Sequence, residues 1–294
     1  MKAYFKILRP DEALIMAMPV VIMAIVGHRF HVSVLLATIL VFFMAGAGNV
    51  INDVFDYKID AVNKPDRPIP SGKISPGNAR IYAAVLDSIA ILLGVIISCL
   101  IHNFIFLAII LASAVIIYTY SRYFKAMPLI GNIVVGVMIG LCFVVGGFIL
   151  FCITEDWTIL KVSVYIGLLA AGANVARELV KDMEDVHGDQ LGGARTFPVL
   201  YGKKVSAVIV VILLAAAVAM CILLYTSGLF NLAYFVIIMI PIGLCLYSAV
   251  SLLVSKLEPD EAACAKVALF LKIAMAVSLL AIIIGSIHFV TDPK

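Results

Sequence analysis

The chain has 294 residues, of which 64% are hydrophobic and only 13% charged, and its net charge is +3. A soluble domain carries roughly 25% charged residues, so a mean hydropathy of +1.16 excludes a single aqueous-core globule. It excludes a barrel too, because the apolar runs are much longer than barrel strands and do not alternate. Helices are the form in which such runs satisfy their backbone in lipid. The small net charge gives no reason to expect a nucleic-acid partner.

The first apolar run, about 12–30, follows Lys2, Lys6 and Arg9. No small-residue cleavage site precedes His28, so this run reads as a spanning helix rather than a signal peptide. A second run, 33–55, leads into a long polar loop, 56–78. Runs at 79–101 and 104–121 are joined by the short connection His102-Asn103, and Tyr118-Thr-Tyr120-Ser121-Arg122-Tyr-Phe-Lys125 follows. The run 128–151 carries Gly136-x-x-x-Gly140 and Gly146-Gly147, which either thin one wall of an apolar slot or pack helices through small residues. Trp157 precedes the run 158–180 as an interfacial anchor. After a second long loop, 181–204, come runs at 205–226, 230–254 and 264–290, the first two separated by Ser227-Gly228.

Nine spanning helices are therefore expected in an all-α membrane protein, as one domain over 1–294. With the N-terminus inside, the inner segments hold 17 Lys and Arg residues and the outer ones only Arg29, Lys161 and Lys294. That asymmetry is what the positive-inside rule demands. It places both long loops in the cytoplasm and Lys294 outside. His28, His31, His102 and His288 fall on the outer side and are excluded from the chemistry, and a lone loop His187 is a poor catalytic candidate. The six scattered cysteines lack metal or redox spacing and read as packing residues.

The two long loops open on the same pattern. Asp53, Asp56 and Asp60 follow D-x-x-D-x-x-x-D, and so do Asp182, Asp185 and Asp189, each 129 positions later. Arg67 to Gly72-Lys73 also rhymes with Arg195 to Gly202-Lys203. The chain reads as internally duplicated, with pseudo-repeats at about 33–125 and 158–254. Steps of three and four keep side chains on one helical face, so Asn49, Asn52, Asp53, Asp56 and Asp60 form one oxygen stripe. Glu178, Asp182, Asp185 and Asp189 form another. A single acidic helix end is commonly just solvated, but two equally spaced stripes at one membrane face point to cations held between them. Hard oxygen donors suit magnesium bridging to phosphate. Arg67, Lys73, Arg122, Lys125, Arg195, Lys203 and Lys204 lie alongside, and cations with magnesium suit a diphosphate. Any one alone reads equally as a topogenic inner charge, Arg67 and Arg195 standing out by their equivalent places in the repeat and Lys204 not.

At these residues the chain resembles the UbiA-type intramembrane prenyltransferase family. Asn49 to Asp60 matches its first Asp-rich motif, N-x-x-N-D-x-x-D-x-x-x-D, and Asp182, Asp185 and Asp189 match its second. Arg67 to Ile74 matches its R-P-[LI]-x-x-G-x-[IV] loop, and Tyr120, Ser121 and Lys125, followed by Gly131-Asn132, match its Y-S-x-x-x-K stretch. The resemblance covers nearly the whole chain. It implies nine transmembrane helices around a central cavity capped by cytoplasmic loops, and a pair of magnesium ions. Asn52, Asp53 and Asp56 would hold one ion, with Asp60 and Asn49 close by. Asp182 and Asp185 would hold the other, with Asp189 in the surrounding shell. Arg67, Lys125 and Arg195 would bind the diphosphate, with Ser121 and Arg122 alongside. Tyr118 or Tyr120 would either face the allylic cation or serve as interfacial aromatics. Within the family, Arg9-Pro10, Asn49 to Ser75 and Arg177 to Lys204 are most similar to an archaeal branch. That branch transfers geranylgeranyl from geranylgeranyl diphosphate to a lipid-like acceptor, geranylgeranylglyceryl phosphate, amid membrane lipids. Arg9, then Lys73, would meet the acceptor phosphate. An aromatic acceptor from quinone biosynthesis and an ion-coupled transporter are the alternatives; an enzyme joining CDP-alcohols is disfavoured because D-G-x-x-A-R is missing.

Overall fold

The computed structural model describes residues 2–191, 195–226 and 228–287, so Ser227, His288 and Lys294 lie outside the described residues. Every element among the described residues is helical. In chain order these are α1 (Lys2–Leu8), α2 (Pro10–Val26), α3 (Val32–Asn63), α4 (Pro76–Leu100), α5 (Ile105–Arg122) and α6 (Ile130–Thr154). They continue with α7 (Trp157–Glu184), α8 (Val186–Leu191), α9 (Phe197–Thr226), α10 (Leu232–Val254) and α11 (Glu261–Ser286). A short 3₁₀ turn, Phe124–Ala126, follows α5.

Eight helices among the described residues are long and apolar enough to cross a membrane. The expected first span is the 17-residue α2. It starts at Pro10 rather than at Glu12, because proline is well suited to a first helical turn. It ends at Val26, where the chain turns through His28 at φ 50°. Residues 2–8 form a separate helix, set off by Arg9 at φ 53°.

The length of α3 positions the first Asp-rich motif. Its 32 residues extend about 48 Å, against a hydrocarbon core of about 30 Å. The sequence boundary near 55 is therefore passed by two turns. The helix persists because Asp53, Asp56 and Asp60 follow its period and have partners, described below.

Two compact units are distinguished: Met1–Ala24 with Arg29–Lys125 and Cys142–Trp157, and Ile25–His28 with Ala126–Leu141 and Thr158–Lys294. In the first, Ile7 and Leu8 of α1 are buried with Ala47, Val50 and Val54 of α3 and with Ala79, Ala83 and Leu86 of α4. Ile69 and Ile74 join the same cluster and pin the 64–75 loop. Gly72 supplies the left-handed turn between them, at φ 74°. Ser75 then caps α4 by accepting from the Asn78 amide at 3.2 Å.

The second unit has its own core. Val175, Leu179 and Met183 of α7 pack with Val210 and Leu214 of α9, Leu252 of α10 and Val267 and Leu271 of α11. A Cβ on Gly136 would fall 2.8 Å from the Ala171 carbonyl, and one on Gly140 would strike the Gly167 carbonyl. Of the two readings of Gly136-x-x-x-Gly140, backbone-close helix packing is the one observed. α9 is two helical pieces joined at Gly202, at φ 86°. None of the six cysteines forms a disulfide, and Cys142, Cys221 and Cys264 are buried as expected of packing residues.

Candidate active site

The C-terminal end of α3 gathers a cluster of opposite charges within the first unit. Arg9 Nη2 donates to Asp53 Oδ1 at 2.5 Å. Arg67 Nη1 donates to the same oxygen at 3.2 Å and to Asp60 Oδ2 at 2.5 Å. Lys125 Nζ donates to Asn52 Oδ1 at 3.0 Å and also to Asp56 Oδ2. Three carboxylates thus meet three basic groups. Asp53 and Asp60 are only 3% and 5% exposed, and carboxylates so buried need partners of this kind. The 64–75 loop is folded back over α3, which brings Arg67 within reach of residues seven and fourteen positions earlier.

Arg9 is set by its backbone. A left-handed conformation at a non-glycine residue persists only where surroundings hold it. Leu8 is buried beside it, and its carbonyl accepts from Asn49 Nδ2 at 3.1 Å. The Asn49 amide group, expected near metal or substrate, is therefore directed at the α1 backbone.

Around Lys125 the expected aromatic and polar residues lie on α5. Tyr118 is 46% exposed and packs edge-on against Phe55, with ring centroids 5.6 Å apart. The guanidinium of Arg122 lies 5.9 Å from the Phe55 ring, and its Nε donates to Tyr123 Oη at 2.7 Å. The buried Ser121 hydroxyl donates to the Ile117 carbonyl of its own helix at 3.1 Å. Tyr120 is half-buried on the same helix. Lys73 is exposed, with no side-chain partner among the described residues.

The second motif differs from the continuous stripe expected. α7 ends at Glu184, Asp185 lies at a bend, and Asp189 belongs to α8. Asp182 Oδ2 accepts from Asn132 Nδ2 on α6 at 3.0 Å. Asp189 Oδ2 accepts from Thr196 Oγ1 at 3.0 Å. Glu178 is taken by Arg177 at 2.5 Å and Lys181 at 3.7 Å. Asp185 and Arg195 are exposed, and neither side chain has a partner among the described residues. Asn132 and Thr196 are partners that spacing does not single out; Asn132 stands in the family pattern, but with no assigned role.

Among the described residues no three His, Cys, Asp or Glu side chains converge as a metal cage. The donor chemistry nevertheless fits magnesium. Asn52 Oδ1 and Asp56 Oδ2 converge on one cationic centre, the Lys125 ammonium. Magnesium commonly takes one or two carboxylates from protein and completes its shell with water and substrate phosphate.

Residues 13–284 match the UbiA prenyltransferase family. The chain is 41% identical over 286 residues to digeranylgeranylglyceryl phosphate synthase of Methanobrevibacter smithii, covering 97% of this chain and 98% of that one. A solved structure described as digeranylgeranylglyceryl phosphate synthase superposes with a TM-score of 0.85 at 33% identity, covering 97% of this chain and 98% of the other. A UbiA homolog from Archaeoglobus fulgidus, solved with GPP and Mg2+, superposes at 0.66 with 20% identity, covering 95% and 99%.

Proposed function

Because the chain belongs to the UbiA prenyltransferase family, we propose that it transfers a geranylgeranyl group from geranylgeranyl diphosphate to the sn-2 hydroxyl of geranylgeranylglyceryl phosphate. The observation that carries this reading is the near-full-length likeness to the archaeal synthase, in sequence and in fold. The chain is a multi-pass membrane enzyme, and membership in an enzyme family sets a transporter aside. The reaction face is the cytoplasmic one, a reading supported by the excess of Lys and Arg around both Asp-rich ends.

Asn52, Asp53 and Asp56, and in the second motif Asp182 and Asp185, would hold magnesium, which would supply the positive charge that makes diphosphate a competent leaving group. Asp60 and Asp189 hold neighbouring donors in place. Lys125 and Arg67 add charge-assisted hydrogen bonds to the diphosphate oxygens, and Arg195 is exposed and unpartnered among the described residues for the same task. Arg67 uses only Nη1 on its two carboxylates, so its other donors are left for phosphate. The bond between C1 and the diphosphate oxygen breaks, and the positive charge spreads over the allylic carbons. Tyr118, exposed on α5, offers a ring face to that charge. The sn-2 oxygen then bonds to C1, its proton is released, and the products are the second ether and free diphosphate.

The acceptor carries its own phosphate, which needs a cation apart from the diphosphate clamp. Arg9 commits Nη2 to Asp53 and Nη1 to Glu12 at 3.4 Å, which leaves donors free for an acceptor phosphate. Lys73 is the second candidate. A product assay with labelled geranylgeranyl diphosphate and a panel of acceptors tests the reading. The expected product is the diether lipid phosphate. Prenylation of a hydroxybenzoate, with none of geranylgeranylglyceryl phosphate, would move the assignment to an aromatic acceptor.

A further inference from the structure

Three positions of α3, spaced by three and four, each receive one part of the junction after α1. Gly46 faces the Leu8 side chain, and a Cβ there would lie 2.9 Å from Leu8 Cγ. Asn49 donates to the Leu8 carbonyl at 3.1 Å. Asp53 accepts from Arg9 at 2.5 Å. The spacing puts all three on one helical face. Together they fix the side chain and carbonyl of one residue and the guanidinium of the next, and these flank the left-handed backbone at Arg9.

We propose that Gly46 and Asn49 are positioning residues: they form a socket that docks the end of α1 and so aims Arg9, and through it they set the affinity for the phosphate of the acceptor. This rests on the reading of Arg9 given under the proposed function. The socket explains two features that a ligand role does not. Asn49 presents its donor nitrogen, not an oxygen, and presents it to backbone. Gly46 makes room for Leu8, since any larger residue would force the Leu8 side chain out of its seat. The rest of α1 is consistent with a docked segment: Ile7 and Leu8 are buried, Tyr4 packs edge-on against Tyr82 at 5.1 Å, and Lys2, Phe5 and Lys6 face outward.

The test uses two substitutions that act by different means, in the full-length enzyme. Asn49→Asp keeps an oxygen for a metal and removes the donor to Leu8. Gly46→Ala adds a methyl group and touches no polar atom. Both are measured for acceptor KM, donor KM and the rate of trypsin cleavage after Lys6, and Arg9→Ala is run beside them. Each variant should raise acceptor KM about tenfold or more, the scale of one lost charge-assisted contact, with donor KM nearly unchanged. Each should also speed cleavage after Lys6. Combined with Arg9→Ala, neither should raise acceptor KM further, because the residue they aim is gone. Unchanged cleavage with wild-type acceptor KM in both variants would overturn the socket. Wild-type acceptor KM in Asn49→Asp alone, with Asn49→Ala impaired, would return Asn49 to a ligand role through its oxygen. Faster cleavage in both variants with unchanged acceptor KM, in them and in Arg9→Ala, would leave α1 docked as described but remove Arg9 from the acceptor site.

Discussion

Asn132 and Asp182 are 50 positions apart, and the amide of the first donates to Oδ2 of the second at 3.0 Å, tying α6 to the helix that bears the second Asp-rich motif. The bond fixes one carboxylate oxygen and leaves Oδ1 to turn toward a cation. Partners of this kind typically tune metal affinity by about tenfold to a hundredfold. Asn132→Leu should therefore raise the magnesium concentration for half-maximal activity by about that factor, with the maximal rate largely recovered at saturation. A magnesium titration of activity reads it directly, and an unshifted midpoint would show that the bond serves folding alone.

The four central carboxylates should be individually indispensable. Asp53→Ala, Asp56→Ala, Asp182→Ala and Asp185→Ala should each lower turnover by at least about a hundredfold, the usual cost of losing a main electrostatic contributor. EDTA should abolish activity, and added magnesium should restore it. The same preparations, compared by thermal unfolding in detergent, separate loss of chemistry from loss of fold. Full activity in EDTA would remove the metal from the mechanism.

Sidedness is open to labelling. Single cysteines introduced at Ser71 and Lys294, in a chain with its six native cysteines replaced, should react with an impermeant reagent from opposite sides of sealed vesicles. The expectation follows from 17 inner against three outer cations. Labelling of both from one side would mean an even number of spans and would take α2 out of the count.

Close packing of α6 on α7 sets a stability test. Gly140→Leu places a large side chain where the Gly167 carbonyl already sits, and backbone cannot move aside cheaply. A loss of about 1–3 kcal/mol or more is expected, as for overpacked cores. Gly243→Ala is the control: a Cβ there meets nothing within 4 Å, and alanine suits a helix interior better than glycine. Melting temperatures in detergent should fall for the first and hold or rise for the second.

The first Asp-rich motif is legible in the sequence because its spacing is local and helical, and α3 does run through Asp60 in one piece. The second is legible only in part. Its spacing matches the first, but the helix breaks at Asp185, and nothing in the count of residues signals that bend. The partners are harder still. Arg9 meets Asp53 across 44 positions and Lys125 meets Asp56 across 69, so these pairs depend on how helices pack rather than on any period in the sequence. α1 escapes notice as a separate element, since the apolar pattern that marks a span does not register a seven-residue helix ahead of it. Gly136 and Gly140 announce close approach without saying to what.

Gly72 and Gly202 close the two corresponding loops, and both are left-handed, at φ 74° and φ 86°. Each is followed by a lysine and leads into a long membrane helix, and at neither would an added Cβ meet a neighbour within 4 Å. What reserves both positions for glycine is therefore the backbone conformation and not a neighbouring atom. Just beyond the second, Lys203 donates to the Pro259 carbonyl at 3.2 Å and fixes the helix side of the joint. Gly202 thus sets the angle at which the α9 span leaves the short turn that starts at Phe197, and Lys203 holds that span to the chain just ahead of α11. A side chain at either glycine would therefore act by turning the chain at the mouth of a membrane helix, and so by re-aiming the charged loop that precedes it, without touching any group in that loop.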